Sequence, residues 1–430
     1  MTPTRPMIYS PHTPPSKTEP RISVGKALEL ILAEARYELP VERVPLAESL
    51  GRVVAEKLYA RHSLPAVLSA QVDGIAVRFD DRTSLPDRTE DRPFAFVGTG
   101  TALPEGFDTV VRAEDLEIAA DGTLRILEEP CEKGACTLPP GWELRKGEVL
   151  IPPDLRLEPQ HLGLLAAGGH REIPVLRRPL VAVLPTGDEL VPQGSMPGPG
   201  QNIDSNSALF AGYLKGVGAE PLLYPITADD PVLLAERLGD ALSKADMVLI
   251  NGGSSRGHRD FTVSVVAGLG RVLSHGLNAA PGKPVLLAII EGKPVVGVPG
   301  PALAAWYALE NLVGPIVSRF LAQPPQERRS VKAILTRELR LEGFLKEALL
   351  SLRVLLSRDG EGRYLVSPYP LKNSMVTNFV RSDGILRIPE GVAGYDKGDE
   401  VEILLLYPQA IIEKRMEKRQ LQTLDESEVF

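Results

Sequence analysis

The sequence predicts a multi-domain α/β protein whose largest part is a doubly wound, mainly parallel sheet. Three observations carry this. A chain of 430 residues is too long for one ordinary hydrophobic core. Between positions 179 and 326, short apolar runs alternate with amphipathic helices, the pattern of βαβ units. The stretches 64–151 and 327–408 are instead rich in short strands, and 39 glycines and 39 prolines fit many short elements joined by turns.

The elements follow in order. Residues 1–20, rich in Pro, Thr and Ser, are expected to form a disordered arm. A helix begins after Ser23, a plausible N-cap, with Ala27, Leu28, Ile31, Leu32 and Ala35 on one face. A second helix is expected over ESLGRVVAEKL. From 64 to 151, runs such as GIAVRF, FAFVG and TLRILEE separated by Gly/Pro turns indicate a small β lobe inserted between helical pieces. EPQHLGLLAAGGH returns to helix. Thus 21–63 and 152–178 form a helical linker region around the lobe. From 179 to 326 come the strand VAVL, the helix SNSALFAGYLKGVG, the strand AEPLLYPI and the helix DDPVLLAERLGDALSKA. DMVLI, TVSVVAGLG, RVLSHGL, PVLLAII, PVVGVP and a helix from Ala302 complete that part. Strands KAILTREL, GILRIPE and VEILLLY close the fold by 408. The charged tail 409–430 is expected to be a frayed, solvated helix.

Composition excludes several classes. The chain is 43% hydrophobic and 24% charged, as soluble globular proteins are. A net charge of −8 without a basic stripe argues against nucleic acid, because phosphate backbones need clustered Lys/Arg. Cys131 and Cys136 have no nearby histidine, whereas a closed zinc site takes four ligands; they are expected in a surface turn. The first twenty residues lack the apolar core of a signal peptide. No apolar run approaches the roughly 20 residues of a membrane span. A cytoplasmic location follows as the expectation.

In an open α/β sheet, ligands bind beyond the carboxyl ends of the strands, so the residues after each strand are read together. After VAVL comes PTGDE, with Thr186, Gly187, Asp188 and Glu189; its carboxylates are either catalytic or metal-binding groups, or caps of a helix start. After PLLYPI comes TADDP, with Asp229, an Asp cap and Pro231 in the first turn. After DMVLI comes NGGSSRGHRD. Gly252 and Gly253 permit close approach of backbone to ligand, and a run of free N–H groups makes an anion nest. Ser254 and Ser255 add hydroxyls, Arg256 and Arg259 add charge, and Asp260 suits Mg²⁺ through oxygen. A plain strand-to-helix turn capped by Asp260 is the competing account. APGKP places Lys283 either against an anion or at the surface. PGPA, with Pro299 and Gly300, starts the last helix. In the β lobe, Asp73 precedes a strand and Thr99 stands beside a turn; a tight hairpin explains both locally.

The ordered series VDGIAVR, VGTGTALPEGFDTVV, VAVLPTGDEL, DSNS, ADDP, GGSSRGHRD, PGKP and VPG resembles the molybdopterin molybdenumtransferase family (MoeA and the E domain of gephyrin) from Ile22 to Leu406. The resemblance implies an elongated homodimer with the helical linker region (also serving dimerisation), the inserted β lobe, a pterin-binding α/β domain and a C-terminal β-barrel domain. It implies insertion of molybdate or tungstate into adenylylated molybdopterin, with Mg²⁺-dependent release of AMP. In a site shared across the dimer, Asp73 and Thr99 of one subunit would face Glu189, Asp229 and Asp260 of the other, those three also binding Mg²⁺. Thr186, Gly187, Gly252, Gly253, Ser254, Ser255, Lys283, Pro299 and Gly300 would hold the pterin and its phosphate. An upstream adenylyltransferase and downstream molybdoenzymes would be partners.

This chain departs from the family pattern in places. The run LSAQVDG replaces an acidic-Asn-Ser-Ala-Met segment, and Glu143 stands for an Asp. Gly276 and Ala280 occupy positions where relatives carry lysines, Pro301 replaces an amide side chain, and SSRGHRD is more basic than usual. Arg256, Arg259 and His275 are the sequence-level candidates to replace the missing charge. Two other readings compete: a non-catalytic dimeric pterin-binding scaffold, and an adenylyltransferase acting one step earlier.

Overall fold

The computed structural model describes residues 21–84, 94–118, 120, 124–252, 261–369 and 376–422. The arm expected over 1–20 lies outside them. The chain divides into two compact units, Met1–Leu39 with Arg178–Phe430, and Pro40–Arg177.

In the first unit, helix α1 (Val24–Glu34) starts where the sequence places it. Ser23 caps it, its Oγ accepting from the Lys26 N–H at 3.0 Å and satisfying one otherwise open donor. The sheet that follows contains β1 (Leu180–Pro185), β2 (Glu220–Leu223), β3 (Met247–Asn251), β4 (Arg271–His275), β5 (Leu286–Ile290) and β6 (Lys293–Val298). Their spatial order is β2-β1-β3-β6-β5-β4. Only the pairings made by β5 are antiparallel; β2-β1, β1-β3 and β3-β6 are parallel. The expected mainly parallel sheet is therefore present, with one reversed strand.

Helices cover both faces. α2 (Asn206–Val217) links β1 to β2, and α3 (Pro231–Lys244) links β2 to β3. α4 (Thr262–Leu269) precedes β4, and α5 (Ala302–Ala308) follows β6. Ala182, Leu184, Val248 and Ile250 pack with Leu234, Leu238 and Val266 of α3 and α4. The alternate residues Val181, Val183, Met247 and Leu249 are as fully buried; α2 packs on β1, and α1 packs on β4 and β5. Burial on both faces explains why these strands read as continuous apolar runs. Asp230 caps α3, accepting from Val232 N–H and Leu233 N–H.

The C-terminal strands close into a five-stranded barrel. β7 (Ser330–Leu335), β8 (Leu349–Arg358), β9 (Tyr364–Pro368), β10 (Gly384–Ile388) and β11 (Glu400–Leu405) pair in the ring β8-β9-β7-β11-β10, and β10 returns to β8. Closure removes the unpaired edges that an open sheet would expose. The final helix α6 (Gln409–Gln422) departs from the solvated helix expected of the tail. Ile412 and Met416 are buried in the barrel core; two apolar residues four apart suffice to dock one face of an otherwise charged helix.

The second unit holds the β lobe and the neighbouring chain. Val41–Pro45 pairs with Glu172–Leu176, and Leu58–Tyr59 with Val149–Ile151. Helix Pro159–Ala167 forms as expected. The helix expected over ESLGRVVAEKL does not form. A single 3₁₀ turn, Leu46–Glu48, is followed by Gly51 at φ +73 and by bridges from Val53 to Arg156 and from Val54 to Val175. Val53 and Val54 are buried, and their β-branched side chains favour extended backbone, although the apolar spacing by itself suits a helix. In the lobe, Gly74–Val77 runs between Phe94–Val97 and Thr109–Arg112, all antiparallel, over a core of Ile75, Val77, Phe94, Val111 and Leu124.

Candidate functional site

The strand directions bring the candidate loops to one edge. β1, β3 and β6 are parallel. β4 regains their direction after two antiparallel pairings through β5. The loops after all four strands thus lie at the carboxyl edge, where such sheets bind ligands. Thr186 is buried, and its N–H donates to the Asn251 carbonyl at 2.8 Å. The Gly187 N–H donates to the Thr227 carbonyl at 3.1 Å. Gly252 has φ +107 and gives its N–H to the Val298 carbonyl at 3.2 Å. A Cβ there would strike the Thr186 carbonyl and come within 2.8 Å of Thr186 Oγ1, so this position requires glycine. Pro299 is buried and Gly300 exposed, with open space where a Gly300 side chain would stand.

Two asparagines tie these loops together. Asn206 Nδ2 donates to Asn251 Oδ1 at 3.0 Å and to the Gly300 carbonyl at 2.7 Å. Asp204 Oδ1 accepts from the Ser207 N–H at 3.1 Å. Among the described residues, Asn206 Oδ1 and Ser207 Oγ are buried without a hydrogen-bond partner. Buried polar atoms of this kind are costly unless something completes them, and an acceptor beside a hydroxyl suits a polar heterocycle or sugar. Asn206, Asn251 and Ser207 were absent from the sequence-based site. The signal was there in DSNS, and in the polar residue ending the apolar strand DMVLI.

The carboxylates are divided. Glu189 is exposed, and its carboxylate lies over Gly187: a Cβ on Gly187, whose φ is +146, would sit 2.7 Å from Glu189 Oε2. Asp188 Oδ1 instead accepts from the Asp229 N–H at 3.0 Å, which fixes the TADDP turn beside the PTGDE turn. Glu189 and Asp229 thus come from adjoining loops, and carboxylate oxygens are the donors that Mg²⁺ takes. Gly253, Ser254, Ser255 and Asp260, with Arg256 and Arg259, lie outside the described residues. Among the described residues no group of three or more His, Cys, Asp or Glu is placed to hold a metal ion.

Asp73 and Thr99 belong to the other unit, Pro40–Arg177. Asp73 Oδ1 accepts from the Thr99 N–H at 2.7 Å and from Thr99 Oγ1 at 3.0 Å. The Thr99 backbone N–H first, and its hydroxyl second, hold the Asp73 carboxyl below the ordinary value of 3.8, because both stabilise the charged form. These bonds favour the lobe above that value, and the contribution is lost as pH falls through the lower folded value. Replacing Thr99 by valine should move the Asp73 titration upward towards 3.8, though not fully, since the backbone donor survives. Carboxyl NMR chemical shifts against pH would read it, and an unmoved titration would remove the hydroxyl from the account. A cavity of about 400 Å³ adjoins the pair, lined by Asp73, Gly74, Phe96, Gly98, Ala113 and Leu116.

Sequence comparison gives the site its context. Residues 22–169 match the MoeA N-terminal region (domain I and II). Residues 182–319 match a "Probable molybdopterin binding domain", and residues 349–406 match the MoeA C-terminal region (domain IV). A solved molybdopterin biosynthesis MoeA protein from Pyrococcus horikoshii is 31% identical, with a TM-score of 0.74 over 90% of this chain and 100% of its own. The chain belongs to the MoeA family. Among curated relatives, the molybdopterin molybdenumtransferase of Bacillus subtilis is 28% identical over 85% of this chain and 90% of its own length. That of Haemophilus influenzae is 28% identical over 70% of this chain and 78% of its own. Among the described residues, no helix is long and apolar enough to cross a membrane.

Proposed function

We propose that this chain is a molybdopterin molybdenumtransferase that takes adenylylated molybdopterin and molybdate (or tungstate) and releases AMP. The observation that carries the reading is the carboxyl edge itself. There Gly252 brings backbone against Thr186, Asn206 ties Asn251 to Gly300, and buried polar atoms of Asn206 and Ser207 await partners. The pterin and its phosphate would lie along Thr186, Gly187, Gly252 to Ser255, Lys283, Pro299 and Gly300. Backbone N–H groups would supply much of the anion binding, consistent with a chain whose net charge is −8.

Glu189, Asp229 and Asp260 would hold Mg²⁺, which when bound offsets charge on the phosphoanhydride oxygens. The hydrogen bond from the Asp229 N–H to Asp188 Oδ1 holds the TADDP turn beside the PTGDE turn. Asp73, kept ionised by Thr99, faces the same site from the second subunit of a homodimer. There it can accept a proton from the attacking water or orient that water in line with the leaving AMP. The reaction is soluble, cytoplasmic chemistry, fed by an adenylyltransferase and feeding molybdoenzymes.

AMP release from adenylylated molybdopterin with Mg²⁺, with and without molybdate, tests the reading. Oxyanion-dependent release is expected, and Asp260→Ala should lower it by about a hundredfold or more, the scale of a lost charge-stabilising or proton-transfer group. Unchanged release in that variant would remove Asp260 from the site. Tight pterin binding without release would favour a binding scaffold instead, the reading to which Gly276 and Ala280 point.

A further inference from the structure

Two extended segments of the unit Pro40–Arg177 run side by side and part between their ties. At one end the Ala55 N–H donates to the Pro174 carbonyl at 3.1 Å, and at the other the Arg61 N–H donates to the Gly168 carbonyl at 3.0 Å. Between these ties Leu58–Tyr59 pairs instead with Val149–Ile151, and Glu172–Leu176 pairs with Val41–Pro45. With each segment committed to another partner, the gap is left to side chains. It forms a cavity of about 290 Å³, with Lys57, Tyr59, Arg61, His170 and Glu172 in its lining.

His170 reaches across this gap. The residue is 7% exposed, and its Nε2 donates to the Tyr59 carbonyl at 2.9 Å. A carbonyl can only accept, so in the neutral ring the proton sits on Nε2 and Nδ1 is an acceptor. Among the described residues Nδ1 is buried without a hydrogen-bond partner. A buried acceptor left open is costly, and an O–H or N–H donor is what completes it.

The lining also carries charge of one sign in excess. Arg43 lies 3.7 Å from Glu56, and those two offset each other. Among the described residues Lys57 and Arg61 have no carboxylate within ion-pair distance; Arg61 Nη1 makes one long bond, 3.4 Å, to the Gly169 carbonyl. Two cations thus stand against the single carboxylate of Glu172. A phosphate monoester is close to a dianion at neutral pH, and charge-assisted bonds to guanidinium and ammonium are the strong ones.

We propose that this cavity binds a small sugar phosphate, with its phosphate at Lys57 and Arg61 and a sugar hydroxyl donating to His170 Nδ1. The volume lies near the low end of ligand pockets, roughly 300–1,000 Å³, which suits a single pentose or hexose phosphate. The site stands apart from the transferase reading: none of its lining residues belongs to the carboxyl edge or to the Asp73–Thr99 pair.

Titration of the full chain with ribose 5-phosphate, followed by ¹⁵N NMR of the histidines, tests the site. The His170 Nδ1 resonance should shift as it gains a hydrogen bond. His170→Gln can reproduce the bond to the Tyr59 carbonyl but lacks the Nδ1 acceptor, and it should weaken binding by about tenfold. Lys57→Gln, at an exposed position, should weaken binding by a similar factor without moving the thermal midpoint. Sulfate, a dianion with no proton to donate, should bind more weakly, depend on Lys57 and be indifferent to His170→Gln. If ribose 5-phosphate leaves the His170 resonances unmoved, or binds both variants as it binds the unsubstituted chain, the site is wrong. Equal affinity for sulfate and ribose 5-phosphate overturns the hydroxyl contact and with it the sugar phosphate.

Discussion

Replacing Gly252 by alanine is expected to cost about 1–3 kcal/mol of stability, the range for a residue forced into a backbone conformation it rarely adopts. Two penalties coincide at this position. The backbone has φ +107, and a new methyl group would meet the Thr186 carbonyl and hydroxyl. Relief requires the loop after β3 to move away from the loop after β1, which parts the Thr186 N–H from the Asn251 carbonyl. Because that contact shapes the carboxyl edge, pterin affinity should fall by about tenfold or more, equivalent to at least 1.4 kcal/mol. Thermal denaturation and fluorescence titration with molybdopterin would measure the two effects. Wild-type affinity in a destabilised protein would separate the backbone strain from the ligand site.

The second large effect belongs to the barrel. Asp383 is wholly buried; it accepts from Arg419 Nη2 at 2.5 Å and from the Leu356 N–H at 3.0 Å, with Arg415 Nε at 3.4 Å. Asp383→Ala would leave two guanidiniums beside the barrel without their shared anion, and a backbone donor without its acceptor. Removing one partner of a buried ion pair typically costs about 3–5 kcal/mol. The lower end applies here because the arginine side chains are 24% and 33% exposed and regain some water. Since both arginines lie on α6, that helix should become the first target of proteolysis. Urea denaturation and limited trypsin digestion would show it; an unchanged midpoint would mean that Ile412 and Met416 alone hold the helix.

How much of this was legible in the sequence depended on the range of the interaction. Ser23 could be named as a cap, and an Asp cap expected in TADDP, which the structure assigns to Asp230, because a cap bonds to residues two or three positions away. The strands of the α/β domain were legible because burial on both faces makes them continuous apolar runs. ESLGRVVAEKL misled because its apolar spacing suits a helix. The partners that hold Val53 and Val54 extended, Arg156 and Val175, lie over a hundred residues on. The tail misled in the opposite sense: its many charges hid the two apolar residues that the barrel buries.

The sequence by itself determined the kind of protein and the order of its loops. The ordered series from VDGIAVR to VPG marks the family, and the βαβ alternation places PTGDE, TADDP, NGG and PGPA beyond strand ends, because each of these signals is local. Only the tertiary structure decided which atoms meet. It joined Asn206 to Asn251 and Gly300, spent Asp188 on a backbone hydrogen bond while leaving Glu189 exposed, and set His170 against the Tyr59 carbonyl. Those partners are separated by up to 111 residues. Their meeting depends on strand order and loop closure, which no run of neighbouring residues encodes.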